Sequence, residues 1–178
     1  MLITDYLFEN VKPIWDAYLE HDFIMDMGNG NLCKDKFKDY LIQDYLYLKE
    51  YAKVYAMALV KCENIEQMKF CQNSINGILE DESATHIWYL KNFGEKIEEL
   101  EDYKIKEANE NYTSYMKSIA LTGDLLDTMV SVLPCAWSYY YIGKKLKETY
   151  KENLEDNFYK SWIESYSCEG YEQVARTS

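Results

Sequence analysis

The stretch KDKFKDYLIQDYLYLKEYAKVYAMALVKC, Lys34–Cys62, contains neither Gly nor Pro. Phe37, Tyr40, Leu41, Tyr47, Leu48, Tyr51, Tyr55 and Leu59 recur along it at three- and four-residue steps. That spacing stacks side chains on one side of an α-helix. The stretch therefore predicts one long helix with a broad inward face rich in tyrosine. Asp44 falls on that same face, one turn after Tyr40 and just before Tyr47 and Leu48.

On the N-terminal side, Met27-Gly-Asn-Gly-Asn31 is the clearest turn of the chain, and before it a helix is expected from about Asp5 to Glu20, bent or restarted at Pro13. On the C-terminal side a third helix is expected from about Asn64 to Asn92. Its inward stripe reads Ile65, Met68, Cys71, Ile75, Ile78 and Leu79, Phe70 lies off that stripe, and Gly94 closes the helix. Glu95 to Glu110 is too charged to pack fully as helix. Further helices are expected from near Tyr112 to Leu121, from Leu125 to about Tyr150 with a kink at Pro134, and from Asn153 to about Tyr166. Gly170 to Ala175 reads as the beginning of one more. With seven Gly and two Pro in 178 residues the punctuation of a strand-rich fold is missing. An all-α, single-domain helical bundle spanning residues 1–178 is the expectation.

Charge narrows the partners. The chain carries 31 acidic against 19 basic residues, net −12, and a field of that sign repels phosphate backbones and anionic lipid surfaces. No nucleic acid and no membrane is expected as a partner. No apolar stretch approaches the roughly 20 residues of a membrane span, and the N-terminus lacks the pattern of a secretory signal. Five cysteines, odd in number and without C-x-x-C spacing, fit free thiols in a reducing compartment, so a cytoplasmic location is expected. The 18 tyrosines against six phenylalanines suit a pocket for a flat polar ring, or reflect composition alone.

Two residues could carry chemistry. Cys135 follows Pro134, and a kink there would make the next segment resemble a fresh helix N-terminus, whose partial positive charge favours a thiolate; the alternative is an inert buried thiol. Asp44, on an apolar face, must be hydrogen-bonded or bind something. One carboxyl could bridge the amino group and adjacent ring nitrogen of an aminopyrimidine, or it could simply accept from a neighbouring tyrosine. The two histidines do not support a metal site. The Glu-x-x-His steps of a di-iron bundle are absent, since Tyr18 precedes His21 and Ser83 precedes His86 by three. Glu82 and His86, four apart, can pair along a helix.

Taken together, His21-Asp-Phe-Ile followed by Gly30-Asn-Leu, the run FKDYLIQDYLYL from Phe37 to Leu48, Glu82-x-x-x-His86, Tyr112-Thr-Ser-Tyr-Met, Leu133-Pro-Cys-Ala-Trp137 and Trp162-Ile-Glu-Ser-Tyr166 resemble the thiaminase II (TenA) family in family order. The resemblance implies a haem-oxygenase-like fold assembled as a homotetramer, no metal or organic cofactor, and hydrolysis of 4-amino-5-aminomethyl-2-methylpyrimidine to the hydroxymethyl pyrimidine and ammonia in thiamin salvage, with thiamin hydrolysis as a related activity. It assigns Cys135 as nucleophile and Asp44 as the pyrimidine-anchoring carboxylate with a catalytic part. Tyr47, Tyr112, Tyr139 and Tyr166 become the aromatic lining. Family members continue into a final helix whose glutamate donates a proton to the leaving amine, whereas this sequence ends at Ser178. The expectation is a form lacking that helix, with an impaired, aminopyrimidine-binding or regulatory protein as the alternative to a full enzyme.

Overall fold

The computed structural model describes residues 3–177, excepting the side chains of Asp81 and Glu82. All regular structure among them is helical: α1 Ile3–Leu19, α2 Asp22–Asn29, α3 Lys34–Leu59, α4 Ile65–Asn76, a π-helical segment Gly77–Glu82, α5 Ser83–Asn92, a 3-10 segment Ile97–Asp102, α6 Glu107–Thr122, α7 Leu125–Thr149, α8 Lys160–Ser167 and α9 Glu169–Thr177. The residues divide into two compact units. A central unit comprises Lys34–Leu133, and a terminal unit comprises the chain up to Cys33 together with Pro134 onward.

In the central unit α3 packs against α4, α5 and α6. Its predicted face is the buried one: Phe37, Leu41, Asp44, Tyr47, Leu48, Tyr51 and Tyr55 are all inside. Phe37 meets the Tyr89 ring edge-on at 5.1 Å. The charged connection after Gly94 folds only as a 3-10 turn, anchored by the buried Leu100, and α6 begins at Glu107, a turn earlier than expected.

The expected stripe of α4 is corrected. Ile65, Met68 and Leu79 are exposed at 64%, 38% and 51%. Of that stripe Cys71 and Ile78 are buried as expected, and Phe70, read as lying off it, is half-buried against the Ala58–Cys62–Cys71 cluster. Asn64 caps α4 by accepting from the Gln67 amide at 3.0 Å. After it the helix widens into the π segment, where the Ser83 hydroxyl donates to the Ile78 carbonyl at 2.8 Å, five residues back. One added residue in a turn rotates everything beyond it by about 100° relative to an unbroken α-helix. The buried series therefore steps from Ile78 to Ser83, His86 and Leu90.

In the terminal unit the segment after α1 is not only a turn. It includes α2, capped by His21, whose Nδ1 accepts from the Phe23 amide at 3.2 Å. Gly30 ends α2 at φ +82°, the left-handed conformation that glycine adopts without a steric penalty. Residues 153–159 are not helical as expected. There the Asn157 amide donates to the carbonyls of Met27 at 3.0 Å and Gly28 at 2.9 Å, and the Tyr159 hydroxyl donates to the Leu32 carbonyl. Long-range bonds of that kind compete successfully with helix formation in a segment rich in Asn and Asp.

α7 is a single helix from Leu125 to Thr149 that passes through Pro134. Cys135 thus continues an existing helix, and the fresh N-terminus expected there does not form. Proline still withholds the amide hydrogen that the carbonyl four residues earlier would receive.

Candidate active site

The central unit places Asp44 on α3 with only 7% of its surface exposed. Burial of a carboxyl demands partners, and two converge on one oxygen. The Tyr40 hydroxyl, one turn earlier on α3, donates to Asp44 Oδ2 at 2.9 Å. His86 Nε2, from α5, lies 2.7 Å from the same oxygen, and the imidazole is fully buried. The tyrosine-bonded carboxyl foreseen as an alternative is therefore present. Glu82, expected as the partner of His86 along the helix, has a side chain outside the described residues.

Beside Asp44 on α3 runs a column of rings. Tyr47 stacks on Tyr51 with centroids 5.2 Å apart and on Tyr112 of α6 at 6.0 Å, the latter pair only 9° from parallel. Two hydroxyls of this column reach α7: Tyr51 donates to the Val132 carbonyl at 3.1 Å and Tyr112 to the Ser131 carbonyl at 3.3 Å. These carbonyls belong to the turn before Pro134, where the helix ladder lacks one amide hydrogen. Asp44, Tyr47 and Tyr112 are thus gathered in one polar-braced aromatic wall. Tyr40, Tyr51 and His86 join it without having been assigned to the site beforehand.

The terminal unit holds the other three expected residues. Cys135 is buried on α7, and its carbonyl accepts from the Ser138 hydroxyl at 3.2 Å. Tyr139, one turn on, packs against Tyr166 of α8 at 4.7 Å and Trp162 at 5.9 Å; Trp162 and Tyr166 are 4.6 Å apart, and Tyr171 meets Tyr166 edge-on at 4.8 Å. Gly143 makes this cluster possible. A Cβ there would lie 2.9 Å from the backbone carbon of Tyr166 and 3.0 Å from its oxygen, so only glycine lets α8 approach α7 this closely. Trp162 is a further member of this wall; its position one turn before Tyr166 was the available signal.

The remaining thiols are set apart. Cys33 and Cys168 are exposed. Cys62 and Cys71 lie buried with their sulfurs 3.7 Å apart, and burial, reinforced by Cys62, pushes the Cys71 thiol up to about 12. A thiol held that high is a packing group rather than a nucleophile at neutral pH.

The chain as a whole is similar to solved and curated proteins. A TenA homologue from P. horikoshii OT3 has a solved structure similar to this one at a TM-score of 0.87 and 26% identity, over 99% of this chain and 82% of that one. A TenA family transcription regulator from Silicibacter sp. TM1040 is similar at 0.87 and 28% identity, over 97% and 75%. An aminopyrimidine aminohydrolase of Halalkalibacterium halodurans is 38% identical over 170 residues, 95% of this chain and 75% of that protein. One of Helicobacter pylori is 37% identical over 172 residues, 97% of this chain and 79% of its own length. The TENA/THI-4/PQQC family model matches residues 8–178, and with relatives this similar along nearly the whole sequence the chain belongs to that family.

Proposed function

We propose that the chain is an aminopyrimidine aminohydrolase, converting 4-amino-5-aminomethyl-2-methylpyrimidine to its hydroxymethyl counterpart and ammonia in thiamin salvage, with thiamin hydrolysis as a related activity. The observation that carries this reading is the buried Asp44 carboxyl, braced beside the stacked Tyr47 and Tyr112 rings. Such a group offers a flat, amino-substituted, nitrogenous ring both a π face and a charge-assisted hydrogen bond. The aminohydrolases from H. halodurans and H. pylori support the same assignment by similarity.

In this reaction the Cys135 thiolate adds to an electron-poor ring carbon, and the amine leaves the exocyclic methylene as ammonia after gaining a proton. Water then adds to the methylene, and the thiolate departs from the ring. Asp44 holds the amino and ring-nitrogen edge, while Tyr47, Tyr112, Tyr139 and Tyr166 line the ring. The chemistry uses no metal or organic cofactor. A cytoplasmic homotetramer belongs to the same reading. No helix among the described residues is long and apolar enough to cross a membrane.

The test is ammonia release from the aminomethyl pyrimidine by the wild type and Cys135→Ser. Loss of the nucleophile is expected to reduce kcat by about a thousandfold or more. Equal turnover by Cys135→Ser would remove the cysteine from the mechanism. Ring binding by the wild type without ammonia release would favour a binding or regulatory protein.

A further inference from the structure

His86 plays no part in the chemistry just described, yet the fold goes to some length to bury it. It stands on the first turn of α5, directly after the π-helical segment, and has no exposed surface. π turns are rare, and they occur frequently at functional sites. Without the extra residue, His86 would be turned by about 100° from its present direction. Its present direction brings Nε2 to 2.7 Å from Asp44 Oδ2.

We propose that His86 is a positioning residue for Asp44: its Nε2–H donates to Oδ2 and holds the carboxyl in the rotamer that receives the aminopyrimidine. The inference rests on Asp44 being the ring-binding group. With Asp44 ionised the carboxylate can only accept, so the 2.7 Å pairing calls for the proton on Nε2. Tyr40 donates to the same oxygen but from the same helix, one turn away, so it moves whenever α3 moves and cannot by itself fix where the carboxyl points. A donor from α5 supplies that second, independent direction. Together the two donors occupy Oδ2 and leave the carboxyl little freedom to rotate, which lowers the ordering cost when a ligand arrives.

The experiment measures Kd for 4-amino-5-aminomethyl-2-methylpyrimidine, and KM and kcat for ammonia release, in wild type, His86→Asn, His86→Gln and Asp44→Asn. The glutamine amide nitrogen reaches about where imidazole Nε2 lies, whereas the asparagine amide falls short. His86→Asn is expected to raise Kd and KM by about tenfold to a hundredfold, the worth of one hydrogen bond to a charged group, with a smaller change in kcat. His86→Gln should recover most of that loss. Equal impairment of the two variants, or a wild-type KM in His86→Asn while Asp44→Asn loses the ring, would overturn the proposal and leave the role of Asp44 intact. Unchanged ring binding in Asp44→Asn would instead remove the reading on which the proposal stands. Imidazole nitrogen NMR of the wild type decides independently of how the variants fold. A protonated Nε2 whose signal shifts on adding the pyrimidine is expected, and a bare Nε2 would overturn the assignment.

Discussion

The two walls that carry the expected site residues are built on different physics. In the central unit, Asp44, Tyr51 and Tyr112 are each tied by a named hydrogen bond, to Tyr40, to the Val132 carbonyl and to the Ser131 carbonyl. In the terminal unit, Tyr139, Trp162, Tyr166 and Tyr171 hold one another by ring contact, on helices brought close by Gly143. Hydrogen bonds fix direction, and their loss is felt atom by atom. Ring packing fixes volume, and it fails when something is added or removed. The first construction sets the direction of polar groups, as the role proposed for Asp44 requires, and the second sets how closely its helices pack.

The largest effect is expected where volume is tightest. Gly143→Val would place new carbons against the backbone of Tyr166, which cannot swing aside as a side chain can. A glycine replaced inside a helix gains up to about 1 kcal/mol of helix propensity, but forced overlap costs about 1–3 kcal/mol or more. Overlap should win, lowering the thermal midpoint by several degrees, at roughly 2–4 °C per kcal/mol for a chain of this size, and weakening ring binding with it. A wild-type midpoint would show that the terminal wall is not close-packed at α7 and α8, and the contrast would break.

A smaller and more selective effect is expected from Tyr40→Phe, which keeps the ring and deletes the donor to Asp44 Oδ2. Aminopyrimidine affinity measured by calorimetry should fall about tenfold, while stability changes by only about 1 kcal/mol. Unaltered affinity would mean that hydrogen-bond bracing does not set the recognition geometry of the central wall.

How much of this could be read beforehand differs from element to element. The inward face of α3 was legible because one side of a long helix is buried from Phe37 to Tyr55 without interruption. Asp44 was legible for the same reason, as a charge where the period demands an apolar residue. The face of α4 and the π segment was legible only in part: Cys71 and Ile78 are buried as read, but Ile65, Met68 and Leu79 fit the same period and are exposed, and the π step at Gly77–Glu82 changes phase without a sequence marker. α2 was hidden by its short length and by a histidine in a capping position usually held by Ser, Thr, Asp or Asn. The pairing of His86 with Asp44 joins positions 42 residues apart on different helices. Spacing along one helix could suggest only the near neighbour Glu82. Pro134 was read as a kink that would make the next segment resemble a fresh helix N-terminus, but the turns on both sides of it keep their helical form within one helix.

The smallest effect should come from a polar brace placed near water. Glu50 on α3 accepts from Lys117 of α6 at 2.5 Å and from Lys53 at 2.6 Å. Burial alone would raise its pKa, but Lys117 and then Lys53 outweigh that, and the carboxyl is held below its ordinary value of 4.5. A group depressed in the folded state stabilises the fold above its unfolded pKa, and that contribution fades as pH falls from about 4.5 through the folded value. Because Lys117 and Lys53 are 30% and 57% exposed, solvent screens most of the attraction, and the pair is worth no more than about 0.5–1 kcal/mol. Glu50→Gln should therefore lower the unfolding midpoint slightly near pH 7, and the difference should fade as acid protonates the carboxyl. The same difference should shrink in about 1 M salt. A loss that persists in acid would assign the role of Glu50 to packing rather than charge, and would move this edge of the central unit to the volume-controlled side of the contrast.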